Sequence, residues 1–129
     1  FAREERVEKA DKFLLEMKKT VKRVRELLQD EKRTEFVVVS IAESMGVRET
    51  EDLISTLEEF HIPSRHIIIN NLFPKENSDF ARIKRKNQEK YISEIKKRFA
   101  AHQITEIALQ PSEIQGITSL RNLGKQLFG

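Results

Sequence analysis

"FVVVSI", Phe36 to Ile41, is a continuous β-branched run in a chain whose residues are 35% charged. A strand with one wet face alternates apolar and polar side chains, whereas a strand covered on both faces has no polar side to show. The run therefore reads as a strand buried on both faces. Strands of that kind belong to parallel sheets, whose crossover helices lie on the faces. The question for the flanking sequence is whether it supplies those helices.

Downstream it does. After a loop, "AESMG", a helix is expected from about Val47 to Phe60 with Leu53, Ile54, Leu57 and Phe60 on one face, and Pro63 in "HIPSR" ends it. A second buried strand, "HIIIN" (His66 to Asn70), leads through a loop with Pro74 into a charged helix from about Asp79 to Phe99. Ile83, Tyr91, Ile95 and Phe99 are its expected inner face. A weaker strand, "ITEIAL" (Ile104 to Leu109), is followed by "QPSEIQG" and a last helix, roughly Ile117 to Phe128. Upstream, Ala2 to Asp30 has no Gly or Pro and spaces Val7, Ala10, Leu14, Met17, Val21, Val24 and Leu28 by threes and fours, with Phe13 and Leu27 widening the stripe. That is one long amphipathic helix, expected to pack on its own domain, with a coiled coil or a partner groove as the other outlets for its stripe.

The order, α and then βα three times, defines an α/β chain: a partial doubly wound parallel sheet of about three strands with flanking helices and one long N-terminal amphipathic helix. A complete doubly wound domain usually has five or more strands, so the chain is expected to be the second half of something larger. An exposed strand edge would then invite pairing with another copy.

At 129 residues, with 38% hydrophobic side chains, one domain with a real core is affordable. The 24 basic and 21 acidic residues are mostly interspersed, and their net charge of +3 argues only weakly for an anionic partner. Neither a membrane-spanning run nor a signal peptide is read in the sequence. A cytoplasmic setting follows by elimination, in agreement with the absence of Cys.

Self-contained nucleotide chemistry would need G-x-x-x-x-G-K-[ST] between a strand and a helix. The one Gly-Lys pair, Gly124-Lys125, is followed by Gln126, has Ser119 at the first Gly position and follows no strand. Glu49, Glu51 and Asp52, read as the opening of a helix, suit its positive end and repel phosphate. His61, His66 and His102 lack metal-ligand spacing. The stretch "NSDFARIKRKNQEKY", Asn77 to Tyr91, opens a helix with eight basic residues against two acidic ones between Arg82 and Arg98. Aromatic residues to stack bases are nearly missing, so a solvated helix face is preferred to a nucleic-acid surface.

Several segments in order resemble one family, the ArsA arsenite-pump ATPases and their Get-type relatives that target tail-anchored membrane proteins. "TEFVVVSIAESMGVRETEDLISTLEEFHIPSRHIIINNLFP", "QEKYISEI" and "LQPSEIQGITSLRNLGKQL" carry the likeness, from about Thr34 onward. The resemblance implies that residues 1–33 are the last long helix of the family's helical subdomain and residues 34–129 the C-terminal half of its nucleotide-binding domain. Asn70 then corresponds to an Asn that reads the adenine edge, with Asn71 where the family has Gln. The loop Leu109 to Gly116, including Pro111, Ser112 and Glu113, would line the base from the other side.

Glu49 and Glu51 fall in the helix that the family presents to its membrane receptor. In the targeting branch two Cys pairs, one from each subunit of a homodimer, share a zinc ion just before the charged helix. Here Ser78 and Ala81 occupy those positions, so zinc is not expected. ATP and magnesium are expected only in the intact protein, where an upstream half carries the phosphate loop; this chain alone should hydrolyse no ATP. By the same resemblance the further partners are a second subunit, a tail-anchored client and a membrane receptor, and nucleic acid is not an expected one. The alternatives are a fragment of an arsenite-pump subunit, or a non-enzymatic interaction module whose basic helix touches nucleic acid or anionic lipid.

Overall fold

The computed structural model describes residues 1–75 and 78–128; Asn77, with which the basic stretch begins, lies outside the described residues. The elements are α1 (Ala2–Gln29), β1 (Val37–Ile41), α2 (Ser44–Glu59), β2 (His66–Leu72), α3 (Asp79–Arg98), β3 (Gln103–Ala108) and α4 (Gly116–Phe128). The strands pair in parallel in the order β1-β2-β3. The chain is thus α/β with a three-stranded parallel sheet and a long N-terminal helix.

Parallel register assigns each side chain to a face. Val38, Ser40, Ile67, Ile69, Ile104 and Glu106 share one face, and α2 and α3 pack there: Thr50 of α2 bonds to Ser40, and Arg85 and Lys96 of α3 pair with Glu106. Val38, Val47, Ile54, Leu57, Ile67, Ile69, Ile92, Ile95 and Phe99 form the core between sheet and helices. Among the described residues, α4 returns against β3 on the opposite face, where Ile107 is buried near Leu123. Val37 and Val39 of β1 are 46% and 59% exposed. The expectation of burial on both faces therefore fails for β1, whose burial alternates. Both crossover helices lie on one side, and among the described residues no helix layers the other side of β1.

Two helical faces also differ from their sequence reading. The second helix begins at Ser44, not Val47, and its buried face is Val47, Thr50, Ile54 and Leu57, with Leu53 and Phe60 exposed. Gly46 explains the early start. A Cβ there would overlap the Ile41 carbonyl oxygen, so the first turn can lie against the end of β1 only with glycine. Thr50 Oγ1 lies 2.7 Å from both Ser40 Oγ and the Gly46 carbonyl, satisfying buried hydroxyls at that contact. On α3, Ile83 is exposed; Ala81, Ile92 and Ile95 are the buried residues.

No residue of α1 is buried, and Val7, Phe13, Leu14, Met17, Val21 and Val24 are all exposed. A helix of its length reaches about 42 Å, whereas strands of five to seven residues span roughly 17–23 Å. Most of the helix therefore has no sheet beneath it. Its C-terminal end touches the body where Gln29 Nε2 donates to the Phe60 carbonyl at 2.7 Å. Among the described residues, no helix is long and apolar enough to cross a membrane.

Candidate functional site

Open parallel sheets bind ligands outside the carboxyl ends of their strands. At those ends of β2 and β3 lies a groove of about 380 Å³ lined by Asn70, Asn71, Gln110, Ser112, Glu113 and Ile114, with Leu123 of α4 behind them. The volume is within the range of about 300–1,000 Å³ usual for small-ligand sites. Asn70 is brought together here with the adjacent residues Ser112 and Glu113, which lie far from it in sequence. Pro111 lies in the same turn without joining the lining.

The strand end has an unusual shape. Ile69 pairs with Glu106 and Leu72 with Ala108, so β2 carries one residue more than β3 between these pairs. Asn71 takes φ 58, a left-handed conformation that Asn tolerates better than most residues. The role of a turn residue therefore falls to Asn71. Asn70 remains in the strand, half-buried, and its carboxamide makes no hydrogen bond to another described residue. A free donor and acceptor facing a groove is a ready hydrogen-bonding edge for a ligand.

Among its described lining residues the groove has no Lys or Arg. Its one charged group is the Glu113 carboxylate, which accepts from Gln115 Nε2 at 2.8 Å. An anionic phosphate would meet repulsion there, whereas an uncharged heteroaromatic base with an exocyclic amine meets acceptors and a carboxamide. The groove's described lining therefore offers hydrogen-bonding groups to an uncharged ligand and no cation to a phosphate.

The remaining sequence candidates lie elsewhere. Because α2 starts at Ser44, its first turn holds no acidic residue; Glu49 and Glu51 sit beyond it and do not cap its positive end. Two residues apart on a helix, they point in different directions. Glu49 borders a cleft beside β1 with Val39, Ile41 and Leu53, while Glu51 pairs with Arg98 of α3. Ser78 is the N-cap of α3, its Oγ accepting from the Ala81 N–H at 3.1 Å, and Ala81 is buried. The basic helix spends half of its cations internally: Arg82 on Asp79, Arg85 and Lys96 on Glu106, Arg98 on Glu51 and Glu94. Burial pushes the Glu106 carboxyl up, but the hydrogen bonds and charges of Lys96 and Arg85 outweigh it and hold it below its ordinary value.

Sequence reading missed Gln88. Its Oε1 accepts from the Phe73 N–H at 2.9 Å and its Nε2 donates to the Asn71 carbonyl at 3.1 Å. Nothing in a run of polar helix residues marks it, since both partners are backbone groups of a distant strand end.

The chain is thus an α/β domain with a polar groove at the carboxyl ends of its parallel strands. The profile of the anion-transporting ATPase family matches residues 2–129. The chain belongs to that family. It is 35% identical to the ATPase GET3B of Arabidopsis thaliana over 128 residues, 96% of this chain and 31% of that protein. It is 32% identical to the ATPase get3 of Sclerotinia sclerotiorum, over 87% of this chain and 34% of that protein, and equally to the ATPase ASNA1 homolog 2 of Paramecium tetraurelia, over 87% and 35%. The chain spans about a third of the length of the curated relatives it matches.

Proposed function

We propose that these residues supply the base-binding end of the nucleotide site in an ATP-driven factor that targets tail-anchored membrane proteins. The observation that carries the reading is the free carboxamide of Asn70 in a groove without cations, at the strand ends of a member of this ATPase family. Asn70 takes the adenine edge, while Ser112 and Glu113, beside Pro111, close the other side. Phosphate loop, magnesium ligands and the water-activating group come from polypeptide outside these residues, so this chain alone hydrolyses no ATP.

The targeting reading rests on the sequence likeness to the Get-type branch and on relatives that carry Get names. In it, ATP opens and closes a homodimer, the exposed stripe of α1 belongs to the helical subdomain, α2 with Glu49 and Glu51 faces a membrane receptor, and the factor works in the cytoplasm. In this reading Ser78 caps α3 and Ala81 packs beneath it, at the positions where the resemblance would put the zinc-binding Cys pair.

The test is adenine-nucleotide binding by the complete natural polypeptide. Asn70→Ala should weaken ADP binding about tenfold, the loss of one or two hydrogen bonds from a partly buried site. Unchanged affinity in a folded Asn70→Ala protein refutes the base-site reading. Magnesium-dependent ATP turnover by the 129-residue chain alone refutes the division of the site.

A further inference from the structure

The two bonds of Gln88 bracket the irregular end of β2. One ends on the Asn71 carbonyl and the other on the Phe73 N–H, on either side of Leu72, where regular pairing with β3 resumes. Extra residues in a strand redirect neighbouring side chains, and a non-glycine residue at positive φ persists only when its surroundings hold it. Here a side chain of α3, 17 residues away in sequence from Asn71, does the holding. The partners also explain the residue type. One is a carbonyl and the other an N–H, so the side chain must donate and accept together, which an ionised Glu or a Lys cannot do.

We propose that Gln88 is a positioning residue for base selection: by fixing Asn71 and Phe73 it sets the direction in which the Asn70 carboxamide enters the groove. Discrimination between adenine and guanine nucleotides then depends on a side chain that does not line the groove. This inference rests on the base-site reading above. Its chemistry is that of a carboxamide placed to meet adenine's N6 donor and N7 acceptor, where guanine presents the two acceptors O6 and N7.

The experiment measures ADP and GDP affinities of the complete natural polypeptide and of Asn70→Ala, Gln88→Ala, Gln88→Glu and the Asn70→Ala/Gln88→Ala double variant. Hydrogen exchange at the Phe73 amide and thermal melting accompany each. Asn70→Ala should lower the ADP-to-GDP affinity ratio about tenfold, the scale of one bidentate base contact. Gln88→Ala should lower the same ratio about threefold, speed exchange at Phe73, and add nothing in the Asn70→Ala background, as expected for residues acting through one contact. Gln88→Glu keeps the Phe73 bond and loses the one to Asn71; it carries the test if the alanine variant does not fold, with a ratio between alanine and wild type. A folded Gln88 variant with an unchanged ratio, or with equal losses for both nucleotides, overturns the inference and leaves the base site standing. An unchanged ADP affinity in a folded Asn70→Ala protein overturns both.

Discussion

The helix with the more regular apolar stripe is the exposed one, and α3, just as crowded with charge, builds the core. In α1, Leu14 is 60% exposed and no residue is buried; in α3, Ile95 is fully buried, with Ile92 and the following Phe99 close to it. Apolar periodicity tells which face of a helix wants a partner, not whether these residues provide one. Charge is equally ambiguous, since α3 reaches the sheet with Arg85 and Lys96 clamped on Glu106. What decides burial is the position of a helix between two strands of the sheet, and α1 precedes the first strand.

The largest effect should come from cutting the two helices in the same way. Ile95→Ala is expected to cost about 3 kcal/mol in urea unfolding, while Leu14→Ala costs less than about 0.5 kcal/mol. Similar costs would erase the contrast between the helices. A paired glycine test sharpens it at the helix ends. Gly46→Ala, which meets the backbone of Ile41, should destabilise by about 2 kcal/mol, whereas Gly124→Ala in α4, where a Cβ meets nothing within 4 Å, should be neutral or stabilise by up to about 1 kcal/mol.

The role of charge in α3 is read from pH. Because the folded-state pKa of Glu106 is depressed, its contribution is present above the ordinary carboxylate pKa and is lost as pH falls through the depressed value. Glu106→Gln should therefore lose stability near neutrality and show a shallower acid limb in pH-dependent melting than the parent. An identical acid limb would mean that the clamp contributes nothing. A small effect is expected where α1 meets α2. His61 closes α2 at φ 58, with its N–H bonded to Glu58 and that of Ile62 to Leu57. His61→Gly should raise stability by about 0.5 kcal/mol, the left-handed strain less the flexibility of glycine.

The order of elements was legible because β-branched runs and breaker residues mark strands and ends locally. The Phe36 to Ile41 run gave the strand and the parallel sheet, but its two-faced burial presumes a layer that these residues do not form over β1. The start of α2 was misplaced because "SMG" resembles a loop until Gly46 is seen against Ile41. Ile83 looked like core and Ala81 did not, since size and hydrophobicity say little about which turn of a helix meets the sheet. Of the site, Asn70, Ser112 and Glu113 were named through family likeness and do converge. Gln88 stayed hidden because side-chain bonds to backbone leave no pattern in sequence.

The account turns on the Asn70 carboxamide facing a base. The most direct measurement follows the Asn70 side-chain amide resonance of the complete polypeptide during titration with adenosine and, separately, ribose 5-phosphate. A saturable shift with adenosine and none with the sugar phosphate is the predicted result. Adenosine binding that leaves the Asn70 amide unmoved would contradict it.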